Sequence, residues 1–410
     1  MQRTQRLKWP ALLISAVLTL IPVSSASMAS QTTITDNGTT ITFPRNIAFS
    51  AHISTATGTI EKVILEYGVE KRTCGTISAE AFPSFSPASS VNVTWTWEML
   101  KSGSEPPGTK IWYDWQVTDD SGNVTTSSKH EVMWLDSGHS WTGLKRDMIV
   151  LHWYDEPFDF ANTLLDSTTN SLKQLSTTTG VAAQFPIDVY IYKSADDLLH
   201  ATLYQPSWIG GIAFPTYNIV LIAIGPNDMA WGKSAATHEI THILVGHLTF
   251  GCLVSIPTWL NEGIAVYAQG GPDPDSAALF KFALNANRLL SIRSLSGSFS
   301  EEAGKADLSY SESYSIVNFL VATYGKDKLL KLFKDLRDGD TIDKALQDTY
   351  GFSLDTLDAQ WRASIGAPLQ ATPQETATPQ PSPTFVPTFE PVGFTPIAPE
   401  NSSSPTPGAN

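Results

Sequence analysis

Basic residues are the first shortage. The 410-residue chain carries 26 Lys and Arg against 40 Asp and Glu, a formal net charge of -14. Proteins that grip nucleic acid or anionic membrane surfaces do so with an excess of cationic side chains. Both are therefore excluded as principal partners. Long apolar runs are equally scarce. The one sizeable run, Ala11–Val23, is too short for a comfortable membrane-spanning helix, and no second run follows. Cysteine occurs only at Cys74 and Cys252. Neither follows the apolar run directly, which excludes lipid attachment there. The two fall in different predicted domains, so a disulfide requires those domains to touch; the plainer expectation is two unpaired small hydrophobes. Internal repeats, a phosphate-binding glycine loop and a nucleophile elbow are also missing.

What is present divides the chain into segments. Residues 1–29 read as a secretory signal: Arg3, Arg6 and Lys8 precede the apolar run, and small residues at Ser24–Ala29 offer cleavage after Ala26 or Ala29. An uncleaved anchor is the alternative. Residues 30–136 are rich in β-branched and aromatic runs, such as Ile47–Ile53, Val91–Trp97 and Ile111–Thr118, separated by turn-forming stretches. Six or seven strands in this span suggest an all-β sandwich of the immunoglobulin or fibronectin type III kind. After a linker at 137–145, residues 146–366 become mixed. Strands are expected at Met148–Trp153 and Ile187–Tyr192, and helices dominate after about residue 230. Beyond Ala367 the chain holds eleven of its 26 prolines and no Lys or Arg, so 367–410 should be a disordered Pro/Thr/Ser-rich spacer.

The chemistry concentrates in His238-Glu239-Ile240-Thr241-His242. Positions i and i+4 of a helix share one face, so both imidazoles can bind one metal ion, with Glu239 beside them and free to act on a water. A catalytic zinc needs a third protein ligand and keeps a fourth position for water. His247 is out of register with the pair and reads as a helix-end residue favoured by the C-terminal dipole. Glu262 is the better ligand. It lies in an apolar run, Trp259, Leu260, Ile264, Ala265 and Val266, where an unpaired carboxylate would be costly. Pro257 suits the first turn of its helix, and Gly263 and Ala265 are small enough to let that helix press on the first.

H-E-x-x-H followed by W-L-N-E-G-I-A resembles the gluzincin metallopeptidases. It is similar to the aminopeptidase N type, which reads W-L-N-E-G-F-A, and closer to the bacterial peptidase MA-like proteins; the connection between the motifs is one residue longer here than in the aminopeptidase N type. The resemblance covers about residues 146–366 and implies a thermolysin-like α+β domain, one zinc ion held by His238, His242 and Glu262, and Glu239 as general base. It also implies a tyrosine that stabilises the oxyanion. By position this is Tyr310, although the family's Y-E-K-G is not kept after it, and Tyr314 is the alternative. The family's exopeptidase signature, G-x-M-E-N, is missing: Gly210-Gly211-Ile212-Ala213-Phe214 carries no Glu to hold a substrate amino terminus. The expectation is therefore an endopeptidase acting on peptides or proteins. The apolar run Ile219–Ile224 reads either as a sheet-edge strand able to pair with an extended peptide or as a plain core strand. Export is expected, with attachment at a cell surface through the β-domain or the tail as an option. Two other readings compete: a surface adhesion module with a structural zinc, and a zinc hydrolase of non-peptide amides or esters.

Overall fold

The computed structural model describes residues 32–369 apart from 76, 180–181, 206–208, 226, 253, 255 and 301. The expected signal and nearly all of the expected tail lie outside the described residues. The first half is a two-sheet sandwich. One sheet has the order β1-β2-β5, from strands β1 (Thr32–Thr42), β2 (Asn46–Thr55) and β5 (Ser90–Glu98). The other runs β4-β3-β6-β7, from β3 (Ile60–Val69), β4 (Ala79–Ala81), β6 (Thr109–Asp119) and β7 (Val124–Thr126), with β8 (His130–Trp134) also paired to β6. A short helix, α1 (Met99–Ser102), follows β5. Burial alternates along β2 and β6, as the two-residue period of a strand requires. Ile47, Phe49, Ala51 and Ile53 from one sheet thus meet Leu65, Ile111, Trp115 and Val117 from the other in a single core.

The second half opens with a five-stranded sheet of order β12-β13-β11-β10-β9. Its strands are β9 (Thr142–Arg146), β10 (Ile149–Trp153), β11 (Ile187–Tyr192), β12 (Gly211–Phe214) and β13 (Ile219–Ala223). Strands β10, β11 and β13 are parallel; β9 and β12 run antiparallel at the two edges. Helix α2 (Phe158–Thr179) makes the long crossover from β10 to β11 that parallel pairing needs, and α3 (Ala195–Ala201) follows β11. One expectation is corrected here, and one open alternative is decided in favour of the core strand. The stretch 137–145 is not merely a linker, because Thr142 onward already pairs with β10 as β9. The run beginning at Ile219 is not the sheet edge. Its residues are almost wholly buried because β13 lies between β11 and β12, and the edge is the glycine-led β12.

Among the described residues seven α-helices complete the fold: α4 (Met229–Leu248), α5 (Thr258–Ala268), α6 (Pro274–Asn285), α7 (Ala303–Tyr324), α8 (Lys326–Arg337), α9 (Ile342–Tyr350) and α10 (Leu354–Ser364). Helix α4 is apolar around most of its girth because it serves two cores. Ala236, Ile240 and Ile243 pack on the sheet and α2, whereas Val245 joins the helical core with Trp259, Ile316, Phe333 and Trp361. Gly263 of α5 meets α7 rather than α4. A Cβ there would lie 2.4 Å from the Ser313 carbonyl oxygen, so the small residue serves a different helix from the one expected. Among the described residues no helix is long and apolar enough to cross a membrane.

The two cysteines are bonded, contrary to the expectation of unpaired side chains. Cys74, in the connection after β3, bridges to Cys252, between α4 and α5. The halves of the chain do touch: Arg72 N donates to the Thr216 carbonyl at 2.8 Å, and Lys71 Nζ donates to the Tyr217 hydroxyl at 2.8 Å.

Candidate metal centre and cleft

Helix α4 presents His238 and His242 one turn apart, with ring centroids separated by 4.8 Å. Helix α5 starts at Thr258 behind Pro257, whose carbonyl accepts from Leu260 N and Asn261 N, and it delivers Glu262 to the pair. Glu262 Oε2 lies 3.3 Å from Nε2 of His238 and 3.3 Å from Nε2 of His242. One ligand atom from each of the three side chains falls within 4.8 Å of the others.

The opposite ring nitrogens decide what this convergence means. His238 Nδ1 is 2.9 Å from Gln269 Oε1, and the Gln269 amide is oriented by its own Nε2, which donates to the Gly271 carbonyl. His242 Nδ1 faces Asn261 Oδ1 at 3.3 Å. Each Nδ1 therefore carries the proton, since an amide oxygen only accepts. Both Nε2 lone pairs are then turned on a carboxylate oxygen that is buried without a hydrogen-bond donor. Three bare acceptors converging in a largely buried site repel one another unless a cation sits among them. The residues thus fit a divalent metal with imidazole and carboxylate ligands, each imidazole held from behind by an amide.

The charge states follow from burial and proximity. Burial lowers the affinity of the His242 ring for a second proton, but the adjacent Glu262 carboxylate outweighs it and, with protons as the only cations, lifts the pKa to about 9. Burial acts to raise the Glu262 carboxyl, yet the two imidazoles hold it well below the usual carboxylate range. The site therefore attracts positive charge. Glu239 differs from Glu262: burial raises its pKa, the imidazoles lower it less, and the Glu262 charge raises it further. It is a carboxylate poised for proton transfer more than for ligation.

Glu239 rests against Gly211, the first residue of β12. A Cβ at that position would stand 2.7 Å from Glu239 Oε1. The sequence signal for this contact was the Gly210-Gly211 pair, which is readable as permission for close approach but not as an address for it. Gln269 likewise escaped sequence reading. It follows Glu262 by seven residues, two helical turns on the same face, and caps the end of α5.

His238, Glu239, His242, Asn261 and Glu262 line a cleft of about 530 Å³, walled by β12, the turn at Pro215 and Thr216, and by Thr249, Phe250, Gly251, Val254 and Ile256. Tyr310 of α7 lines it too, its ring 6.2 Å from that of His238. Burial, then the charges of Glu262 and Glu239, push its hydroxyl pKa well up, so the group stays a proton donor. Tyr314 stacks near Tyr267 and Gly271 instead, away from the cleft lining. His247 is not a dipole-favoured cation at a helix end. It is buried, its Nε2 pairs with Asn218 Oδ1, and burial followed by the charge of Arg72 lowers its pKa to about 4.

Residues 167–367 match the family model of the Peptidase MA superfamily. No curated protein matches the chain. Among solved structures it is similar to Legionella pneumophila aminopeptidase A in complex with aspartic acid, at 12% identity and a TM-score of 0.37, over 77% of this chain and 47% of that one. The chain thus spans about half the length of that protein. The matched segment, just under half of the chain, carries both helices of the candidate metal centre and is similar to the Peptidase MA superfamily.

Proposed function

We propose that the protein is an exported, zinc-dependent endopeptidase. The observation that carries this reading is the set of three converging acceptors, His238 Nε2, His242 Nε2 and Glu262 Oε2, with Glu239 beside them in one open cleft. Zinc bound there supplies Lewis acidity, which makes a water nucleophilic near neutral pH and polarises a carbonyl. Glu239 takes the proton of the attacking water and delivers it to the departing amine. The Tyr310 hydroxyl donates to the oxygen on which negative charge develops. Gln269 and Asn261 hold the imidazoles in the tautomer that leaves Nε2 bare.

Internal rather than terminal cleavage is supported by the lining of the cleft. Among its described residues the only carboxylates are Glu239 and Glu262, and both have other work. Nothing acidic remains to hold a substrate amino terminus. Among the described residues β12 pairs only with β13, so its other edge offers backbone groups to an extended chain, which suits pairing along a polypeptide. Export is supported by the basic and apolar pattern of residues 1–29 and by the Cys74–Cys252 bridge, since disulfides persist in oxidising compartments.

The test uses zinc-loaded full-length protein and its Glu239→Gln variant against a quenched-fluorescent peptide library. The expected result is internal cleavage by the wild type and a loss of about 10²–10⁴-fold in the variant at unchanged zinc content. Equal rates from both would remove the proposal, and release of single amino-terminal residues would overturn its endopeptidase part.

A further inference from the structure

The β-sandwich grips one wall of the cleft at several independent points. Arg72 N donates to the carbonyl of Thr216, which lines the cleft. The next residue, Tyr217, is held by Lys71 and by Glu105, both from the sandwich. The Arg72 guanidinium lies 4.3 Å from the ring centroid of Phe250, another lining residue. Cys74 is bonded to Cys252, which sits in the same connection as Phe250, Gly251, Val254 and Ile256. This connection joins the helix carrying the two histidines to the helix carrying Glu262 and has no regular secondary structure of its own over its described residues. Its position therefore depends on what it is tied to.

Resting on the metallopeptidase reading above, we propose that the β-sandwich is a specificity element of the cleft. Through the Cys74–Cys252 bridge and Arg72 it fixes the apolar wall of Phe250, Val254 and Ile256, and that wall selects substrate side chains by size. The metal ligands are not part of the grip. His238, His242 and Glu262 are positioned by α4 and α5, with Gln269 and Asn261 behind them. Loosening the wall should thus change which peptides bind and leave the chemistry on a bound peptide nearly intact. Two functions assignable to a separate amino-terminal domain, a removable inhibitory segment and a detached tether, do not require either a covalent bond to the cleft or a hydrogen bond to its lining.

Discrimination between apolar side chains of different size is worth about 10–200-fold in a fitted pocket, and an unpinned wall forfeits most of it. The experiment compares full-length wild type, Cys74→Ala/Cys252→Ala and Arg72→Ala, and also wild type before and after mild reduction in case the double variant folds poorly. Each is given peptides differing only in whether Leu, Phe or Ala flanks the cleaved bond. Zinc content and hydrogen exchange at Thr249–Gly251 are measured alongside.

The proposal expects at least a tenfold fall in side-chain discrimination, carried by KM, with kcat within about threefold, zinc unchanged and exchange at Thr249–Gly251 faster. Lowered thermal stability with unchanged discrimination and exchange would overturn it and leave the bridge a staple. A proportional loss of kcat for all peptides would overturn it as well. Absence of cleavage by zinc-loaded wild type is a different failure: it removes the metallopeptidase reading, and the selectivity claim falls with it.

Discussion

Gln269 accepts from His238 Nδ1 while donating to the carbonyl of Gly271, so one amide fixes both the tautomer and the tilt of an imidazole in the candidate metal centre. Replacing it by Leu keeps the size and removes both bonds. His238 is then free to carry its proton on Nε2, the atom that faces Glu262 and would ligate the proposed zinc. Gln269→Leu should weaken zinc binding about 10–100-fold, measured by competition with a chelating dye, with little change in thermal stability. Unchanged affinity would mean that the imidazole is held by its packing alone.

Gly211 and Glu239 are related by contact. The atom that an added methyl group would strike is the far end of a flexible side chain, at 2.7 Å, so the chain can yield without unfolding. What yields is Glu239, the proposed general base. Gly211→Ala should leave stability within about 1 kcal/mol of wild type and zinc content unchanged, while kcat falls at least about tenfold as the base leaves its position. A variant with full kcat would show that Glu239 has room to act from elsewhere.

Gly263 makes the opposite case, since its neighbour is backbone. The Ser313 carbonyl oxygen would be 2.4 Å from an added Cβ, and Val317 Cγ2 2.6 Å. Neither helix can give way locally, so Gly263→Ala should push α5 from α7 at a cost of about 1–3 kcal/mol. Glu262 is the adjacent residue, and its displacement should lower zinc affinity too. Calorimetric melting with and without excess zinc would separate the two losses; a variant that melts and binds like wild type would refute the close packing.

How much of this was legible beforehand depended on how local the determining physics was. His238 and His242 are four residues apart on one helix, so helical geometry alone united them. Glu262 was readable because a lone carboxylate among Trp259, Leu260 and Ile264 needs a partner. The partners of Gly211 and Gly263 were not readable, because a glycine announces close approach without saying to what. The Ile219–Ala223 run was continuous because both faces of β13 are buried, a sign of an interior strand, while the true edge, Gly211–Phe214, was obscured by its glycines. Pairing of Cys74 with Cys252, 178 positions apart, depends on how two domains dock, which no local pattern encodes.

Glu312 gives the molecule a pH dependence of stability separate from catalysis. It is fully buried, and both its oxygens face the amide of Leu290, at 3.2 and 3.0 Å. Burial raises its pKa, the Leu290 N–H and Arg362 offset part of that, and the carboxyl is pushed up to about 8 from an ordinary 4.5. The folded protein therefore holds a proton between these values that the unfolded chain has released. The stability this group contributes is complete below about pH 4.5 and is lost as pH rises through about 8. Glu312→Gln retains an acceptor for Leu290 N–H and cannot ionise. Its melting temperature should fall less than that of wild type between pH 5 and 8.5, with the variant the more stable of the two at the upper end by on the order of a few kcal/mol. Parallel melting curves across that range would show that Arg362, which donates to the Leu289 and Leu290 carbonyls beside it, already keeps Glu312 ionised in the folded state.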